Sequence, residues 1–334
     1  MSDKRALRIR GGGTKDFYGV RLVGDVIDTR NYNGIVEYEP TELVFTARAG
    51  TPLREVEAAL AENGQMLAFE PPHFGAEATF GGCIAAGFSG PRRPYQGATR
   101  DFVLGVRLLN CEGEDLRFGG QVMKNVAGYD VSRLLTGSFG TLALILEASV
   151  KVLPIPESEH TIRLDRSEAQ AIETMNRYAG EPLPVSATCF WDGGLYIRLS
   201  GAASAVAAAQ KKLGGESIEG GPFWNSIREQ THPFFTDAQQ LWRLSIKSTA
   251  EPLGLGPTLL EWNGGLRWIS GEGDPGQIHE TAARHGGHAT VFRHAREVDD
   301  IQRLQPGLAA LQRKIKHALD PAGVFGPQRL DGRF

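Results

Sequence analysis

The chain has 334 residues, 41% apolar and 22% charged, with a formal net charge of −3. The apolar share supplies the cores of one large or two ordinary domains, and the near-neutral balance excludes a chain built as a whole around nucleic acid. Its three cysteines, Cys83, Cys111 and Cys189, are too few and too scattered for a disulfide framework or an iron–sulfur centre, and no run of about 18 apolar residues offers a membrane span, so a cytoplasmic protein is expected.

In chain order, the alternating residues "ALRIR" predict a first strand that runs into "GGGTKDFYG". A nicotinamide-type G-x-G-x-x-G turn needs other spacing and a helix after it, and a G-x-x-x-x-G-K-[S/T] phosphate loop is missing. What remains is a row of main-chain amides at a strand end, able to form an anion-holding nest. An ordinary structural turn is the plainer alternative. "VEYEPTELVFTARAG" predicts two strands around a proline turn, and "TPLREVEAALAENG" a helix with Thr51 as cap, Pro52 in its first position, Leu53, Val56, Ala59 and Leu60 on its apolar face, and Gly64 at its end.

The next segment, "EPPHFGAEATFGGCIAAGFSGPRRPYQGATRDFVLG", is long, glycine-rich and poor in large apolar side chains. Backbone lying over a bound planar group explains such a stretch better than ordinary core. Two strands around "CEGED" follow, then the polar handles Lys124, Asn125, Tyr129 and Asp130, and the strand "GTLALILEASVKVLP". A boundary is expected near Pro156. Beyond it, strands and helices alternate as an α+β domain with an antiparallel sheet, through "TCFWDGGLYIRLSG", "LWRLSIKS", "LLEWNGGLRWIS" and "HATVFRH". The aromatic residues Phe223, Trp224, Phe234 and Phe235 suit either core or an apolar partner surface. A last helix is expected from about Gln305 to Leu319, with Leu308, Leu311, Ile315 and Leu319 on its apolar side, stopped by Pro321 and Gly323.

The trio "GGGTKDFYG", "ATFGGCIAAGFSGPRRPYQGATRDFVLG" and "KNVAGYDVSRLLTGSFGTLALILEASVKVLP" resembles the FAD-binding domain of the vanillyl-alcohol oxidase/p-cresol methylhydroxylase type. Together with "GPFWNSIREQTHPFF", "LLEWNGGLRWI" and "GGHATVFR", it is most similar to the flavin-binding E subunits of three-subunit bacterial glycolate oxidases. The resemblance implies an FAD-binding domain over residues 1–156, an α+β cap domain over 157–300, and a C-terminal helix and tail over 301–334 that returns toward the flavin through Pro321 and Phe325. It implies that amides around Gly11, Gly12, Gly13 and Thr14 hold the FAD diphosphate. Pro71, Thr79, Gly81, Gly82, Ala86 and Gly87 would line the ribityl chain and ring, with Gly97 and Asp101 in the next turn. Gly128, Tyr129, Gly137, Gly140 and Thr141 would shape the floor and the adenine end.

At the level of the assembly, the resemblance implies oxidation of glycolate, a small 2-hydroxy acid, to glyoxylate. The partners would be a catalytic flavin subunit and an iron–sulfur subunit, which also give the only route to the inner membrane. A self-sufficient FAD-dependent 2-hydroxy-acid dehydrogenase and a flavin-fold scaffold without redox role are the alternatives. Such an oxidation needs a base and a cation for the carboxylate. His73, Arg92 and Arg93 are the local candidates, though solvated loop charges account for them equally. His285 and His288 have a spacing that can pinch a metal, but no acid or cysteine stands at a recognised distance, and no metal site is expected. Cys83 is the one thiol in a cofactor loop; small-residue packing explains it, so the FAD is expected to be non-covalent. Three departures from relatives stand out. The first strand begins almost at Met1, which is expected to leave an exposed edge beside Leu7 and Ile9. Gly326, Pro327 and Gln328 replace a usual asparagine before the final Pro-Gly. The second half lacks the histidines and acids by which related dehydrogenases bind metal and substrate.

Overall fold

In the computed structural model, which describes residues 5–120, 130–294 and 301–330, the opening run forms β1 (Leu7–Arg10), with β2 (Asp25–Asp28) parallel to it. β3 (Ile35–Glu39) and β4 (Val44–Arg48) form the expected hairpin around a Pro40–Glu42 turn. α1 (Leu53–Ala61) buries Leu53, Val56 and Leu60. Its cap differs from the sequence expectation: the Thr51 hydroxyl is 2.8 Å from the Arg48 carbonyl and 2.9 Å from the Gly34 amide, so it ties down the preceding loop, and Pro52 occupies the cap without a side-chain bond. β5 (Gln65–Met66), α2 (Phe80–Ala86), α3 (Arg93–Gln96) and α4 (Thr99–Phe102) lead to the hairpin β6 (Val103–Leu109) and β7 (Asp115–Gly119). α5 (Val131–Leu135) starts at Asp130, whose carboxylate accepts from the Arg133 amide, and β8 (Leu144–Lys151) and β9 (Leu153–Pro154) follow.

The second half begins with β10 (Ser158–Asp165) and α6 (Glu168–Ala179), the latter held by a Ser167–Gln170 capping box. β11 (Val185–Trp191), β12 (Gly194–Gly201), α7 (Ala203–Leu213), β13 (Glu216–Ile218), α8 (Gly220–Arg228) and α9 (Pro233–Thr236) come next. They are followed by β14 (Leu241–Ser245), β15 (Thr258–Glu261), β16 (Leu266–Ser270), α10 (Pro275–Arg284), β17 (His288–Arg293) and α11 (Pro306–Leu319).

The chain divides into two compact units. One comprises Met1–Ser89, Gly97–Ile155 and Leu304–Phe334; the other comprises Gly90–Gln96 and Pro156–Arg303. In the first, the antiparallel sheet β3-β4-β8-β6-β7 packs one face on α1 and α2 around Phe45, Ala47, Leu53, Phe69, Phe80 and Val150. In the second, an antiparallel eight-stranded sheet, ordered β13-β10-β12-β11-β15-β16-β14-β17, buries Ile162, Leu195 and Ile197 among the residues packed with α6 and α7, and Trp242 and Ile269 with α10. Trp224, Phe234 and Phe235 are buried and belong to the core, while the half-buried Phe223 stacks on Tyr196.

Two further expectations are corrected. β1 is not an edge: β2 lies on one side, and on the other the tail bridges Leu7 with Phe325, Leu7 N donating to Val324 O at 2.7 Å and Gly326 N to Leu7 O at 2.8 Å. Among the described residues the edge strand is β2. On α11, Ile315 and Leu319 pack on the first unit's core, whereas Leu308 and Leu311 stand 46% and 53% exposed. The helix turns Ala309, Ile315 and Leu319 inward, and Lys316 anchors its C-terminal half through the carbonyls of Thr141 and Phe325.

Candidate functional site

Within the first unit, the end of β1, the start of α2, the turn after α5 and the C-terminal tail converge on one cleft. Its lining includes Arg8, Arg10, Gly11, Gly12, Gly13, Thr14, Lys15, Thr79, Gly82, Ala86, Phe139 and Arg329. The cavity measures about 80 Å³, room for several groups the size of a water at roughly 10–15 Å³ each. A diphosphate has that scale.

The glycines are required twice over. A Cβ on Gly12 would sit 1.6 Å from the Glu77 carbonyl oxygen, and one on Gly11 2.2 Å from the Thr79 hydroxyl, so the loop can approach the 77–79 segment only without side chains. Gly13 takes a φ of +72°. In this conformation the amides of Gly11, Gly12, Gly13 and Thr14 donate to no main-chain carbonyl among the described residues. Thr79 caps α2, its hydroxyl accepting from Gly82 N at 3.2 Å. The loop is braced from behind by Lys15, which donates to the His73 carbonyl at 3.1 Å, and by the edge-on pair Phe17 and Phe74.

Electrostatics mark the cleft as a place for an anion. Among the described residues Arg8, Arg10, Lys15 and Arg329 line it against a single carboxylate, Asp16, which is 3.0 Å from Arg10 Nε. Arg8 Nε is buried and has no hydrogen-bond partner among the described residues. Arg329 is 8% exposed, and its guanidinium donates to the carbonyls of Lys15 at 2.9 Å and Asp16 at 3.4 Å. Burial, opposed by Asp16 and reinforced by Arg8, holds its pKa down to about 10. A buried polar atom without a partner and a buried cation whose hydrogen bonds go to carbonyls are both costly until an anion arrives. The tail that delivers Arg329 is itself pinned: Lys316 Nζ lies 2.6 Å from Asp320 Oδ2 and from the Thr141 carbonyl, and Asp320 accepts from the amides of Val324 and Phe325.

Of the residues expected from the sequence, Gly11, Gly12, Gly13, Thr14, Thr79, Gly82 and Ala86 line the cleft. Pro71, Gly81, Gly87, Gly97, Asp101, Gly137, Gly140 and Thr141 are not among its lining. Several of these serve packing around it. Gly81 lies against Ala49, Gly87 against Gly137, and Gly140 against Ile9, while Asp101 accepts from Ala98 N ahead of α4. Lys124, Asn125, Gly128 and Tyr129 lie outside the described residues. Arg8, Arg10, Lys15 and Arg329 were missed by the sequence reading; the density of cations flanking "GGG" was the available signal for three of them.

The candidate catalytic side chains are engaged elsewhere. His73 Nε2 is 3.0 Å from Glu57 on α1. In the second unit Arg92, 5% exposed, is bound to Glu159 and donates to Ser200, so it is no solvated loop charge, and Arg93 lies over the Trp262 ring at 4.2 Å. His285 caps α10 and His288 begins β17. Among the described residues, no three His, Cys, Asp or Glu side chains come together as a metal-binding set, and no helix is long and apolar enough to cross a membrane. Cys83 is fully buried, which pushes its thiol up to about 12.

A family model for the FAD binding domain matches residues 2–119. The chain is 47% identical over 331 residues to the glycolate oxidase subunit GlcE of Escherichia coli (strain K12), a match that covers 99% of this chain and 94% of that one. It is 34% identical over 155 residues to the glycolate oxidase subunit GlcD of Bacillus subtilis (strain 168) and 36% identical over 149 residues to a D-lactate dehydrogenase of Archaeoglobus fulgidus, spanning 33% of the length of each. Among solved structures, an alkyldihydroxyacetonephosphate synthase superposes with a TM-score of 0.66 at 16% identity, covering 97% of this chain and 72% of that one, which shows a common fold. The chain therefore belongs to the family of the glycolate oxidase subunit GlcE, within the FAD-binding proteins of the vanillyl-alcohol oxidase type.

Proposed function

We propose that the chain holds FAD non-covalently in the cleft of its first unit and serves as the accessory, electron-relay subunit of a complex that oxidises glycolate to glyoxylate. A catalytic flavin subunit and an iron–sulfur subunit complete that complex, and place it in the cytoplasm, at the inner membrane only through those partners. The observation that carries this reading is a cationic cleft floored by main-chain amides in a chain that matches a glycolate oxidase subunit over nearly its whole length. The amides of Gly11–Thr14 receive the diphosphate, and Arg8, Lys15 and Arg329 neutralise it. Arg10 is held by Asp16 and shapes the loop. The bound flavin supplies a two-electron acceptor that can release electrons singly. Cys83, with its thiol pushed up to about 12, offers no thiolate for a covalent bond at neutral pH.

The relay role is favoured over a self-sufficient dehydrogenase by the commitments of His73, Arg92 and Arg93 to Glu57, Glu159 and Trp262. The test is to purify the chain alone and with its two partner subunits, then add glycolate without oxygen. The proposal expects a yellow protein that glycolate bleaches only in the assembly. Bleaching of the lone chain supports the self-sufficient enzyme, and a colourless folded chain supports the scaffold.

A further inference from the structure

Five of the nine large apolar side chains that stand exposed among the described residues fall between Leu22 and Val36. Leu22 also lines the cofactor cleft. The others, Val23 at 37%, Val26 at 52%, Ile35 at 41% and Val36 at 46% exposure, lie on or beside β2 and β3. Among the described residues both strands are the last of their sheets: β2 pairs with β1 and β3 with β4. The pairing of β3 with β4 skips Val36, which leaves that residue outside the ladder. A terminal strand of a sheet that carries exposed aliphatic side chains is a template for another chain.

Charge decides what that chain is. Between Arg21 and Glu42 the exposed ionisable residues are Asp25, Asp28, Glu37, Glu39 and Glu42 against Arg21 and Arg30, and Arg30 is bound to Asp28. A second copy meeting this face across a two-fold axis would set β3 antiparallel to β3, and the register centred on Tyr38 puts Glu37 opposite the copy's Glu39. Like charges facing one another across strands are destabilising. A partner with lysines or arginines around aliphatic side chains meets the same carboxylates favourably.

We infer that the edge strands β2 and β3 are the docking surface for a different subunit, one that presents aliphatic side chains within a basic rim. This rests on the accessory-subunit reading given above. The experiment co-expresses the full chain with the catalytic flavin and iron–sulfur subunits and measures the complex recovered on the tagged chain. Val26→Lys with Val36→Lys removes apolar contact and adds repulsion at positions already exposed, so FAD content and melting temperature stay at wild-type values while recovery falls at least about tenfold. Glu37→Lys with Glu39→Lys, which touches no apolar residue, lowers recovery in the same direction, and wild-type assembly weakens as salt rises. Hydrogen exchange slows on β2 and β3 in the complex. Wild-type recovery with both double variants overturns the docking surface and leaves the accessory-subunit reading standing. A lone wild-type chain that dimerises, and is split by Val26→Lys with Val36→Lys, also overturns it by giving the face to a second copy. A wild-type chain that fails to co-purify with either subunit overturns the reading on which it rests.

Discussion

Replacing Arg329 with methionine separates a ligand-binding cation from a structural one. The folded protein holds this guanidinium at 8% exposure with its pKa down at about 10, below the ordinary 12.5. A base with a lowered folded pKa destabilises the fold wherever both states are protonated, and the penalty is relieved as pH rises through the folded value. At neutral pH that penalty is on the order of 3 kcal/mol. Two hydrogen bonds to carbonyls, at about 1 kcal/mol each, and the cation–π contact with Phe139, at about 0.5–1 kcal/mol, offset most of it. Arg329→Met should therefore change the stability of the FAD-free protein by less than about 1 kcal/mol. Bound diphosphate changes the balance, because a charge-assisted bond to it contributes about 1.5–3 kcal/mol. The variant should bind FAD roughly 10- to 150-fold more weakly. Titration of FAD into deflavinated protein, with a thermal melt of the same sample, reads both quantities. FAD affinity within twofold of wild type, or an FAD-free form destabilised by several kcal/mol, would refute the assignment.

Further outcomes follow from the same cleft. Gly12→Ala forces a Cβ to within 1.6 Å of the Glu77 carbonyl unless the loop moves; a loss of about 1–3 kcal/mol in the melt, together with loss of bound flavin, is expected. Asp320→Asn weakens the buried anchor of the tail at Lys316, Val324 and Phe325, so limited proteolysis should cut the tail sooner and FAD should leave faster, with both effects seen by mass spectrometry and flavin absorbance. Cys83, buried and with its thiol pushed up to about 12, should resist iodoacetamide in the native protein at pH 8, and acid precipitation should leave all of the flavin in the supernatant.

The parts legible in the sequence were those whose cause is local. Period-two runs such as "ALRIR" and the turn at Pro40 each fix their own element, and three consecutive glycines announce a main-chain site whatever surrounds them. What stayed hidden depends on contacts between distant segments. Nothing in "GPQRLDG" says that Arg329 returns to the glycine loop, because the instruction lies in Lys316 and Asp320 pinning the tail and in Leu7 pairing with Phe325. Thr51 looked like a helix cap but bonds Gly34, a residue whose approach no helix signal encodes. Arg92 looked like a solvated charge until Glu159 on β10 met it. Leu308 and Leu311 follow the helical period of α11 and are nevertheless exposed, since periodicity defines an apolar stripe without supplying what covers it.

The central claim, that the amides of Gly11–Thr14 and the surrounding cations hold FAD, is tested most directly by the flavin content of the purified chain. The account predicts a flavin-to-protein ratio near one, released on denaturation as FAD, and lost in Gly12→Ala and reduced in Arg329→Met. A folded wild-type chain that carries no flavin and takes up none when FAD is added would contradict it.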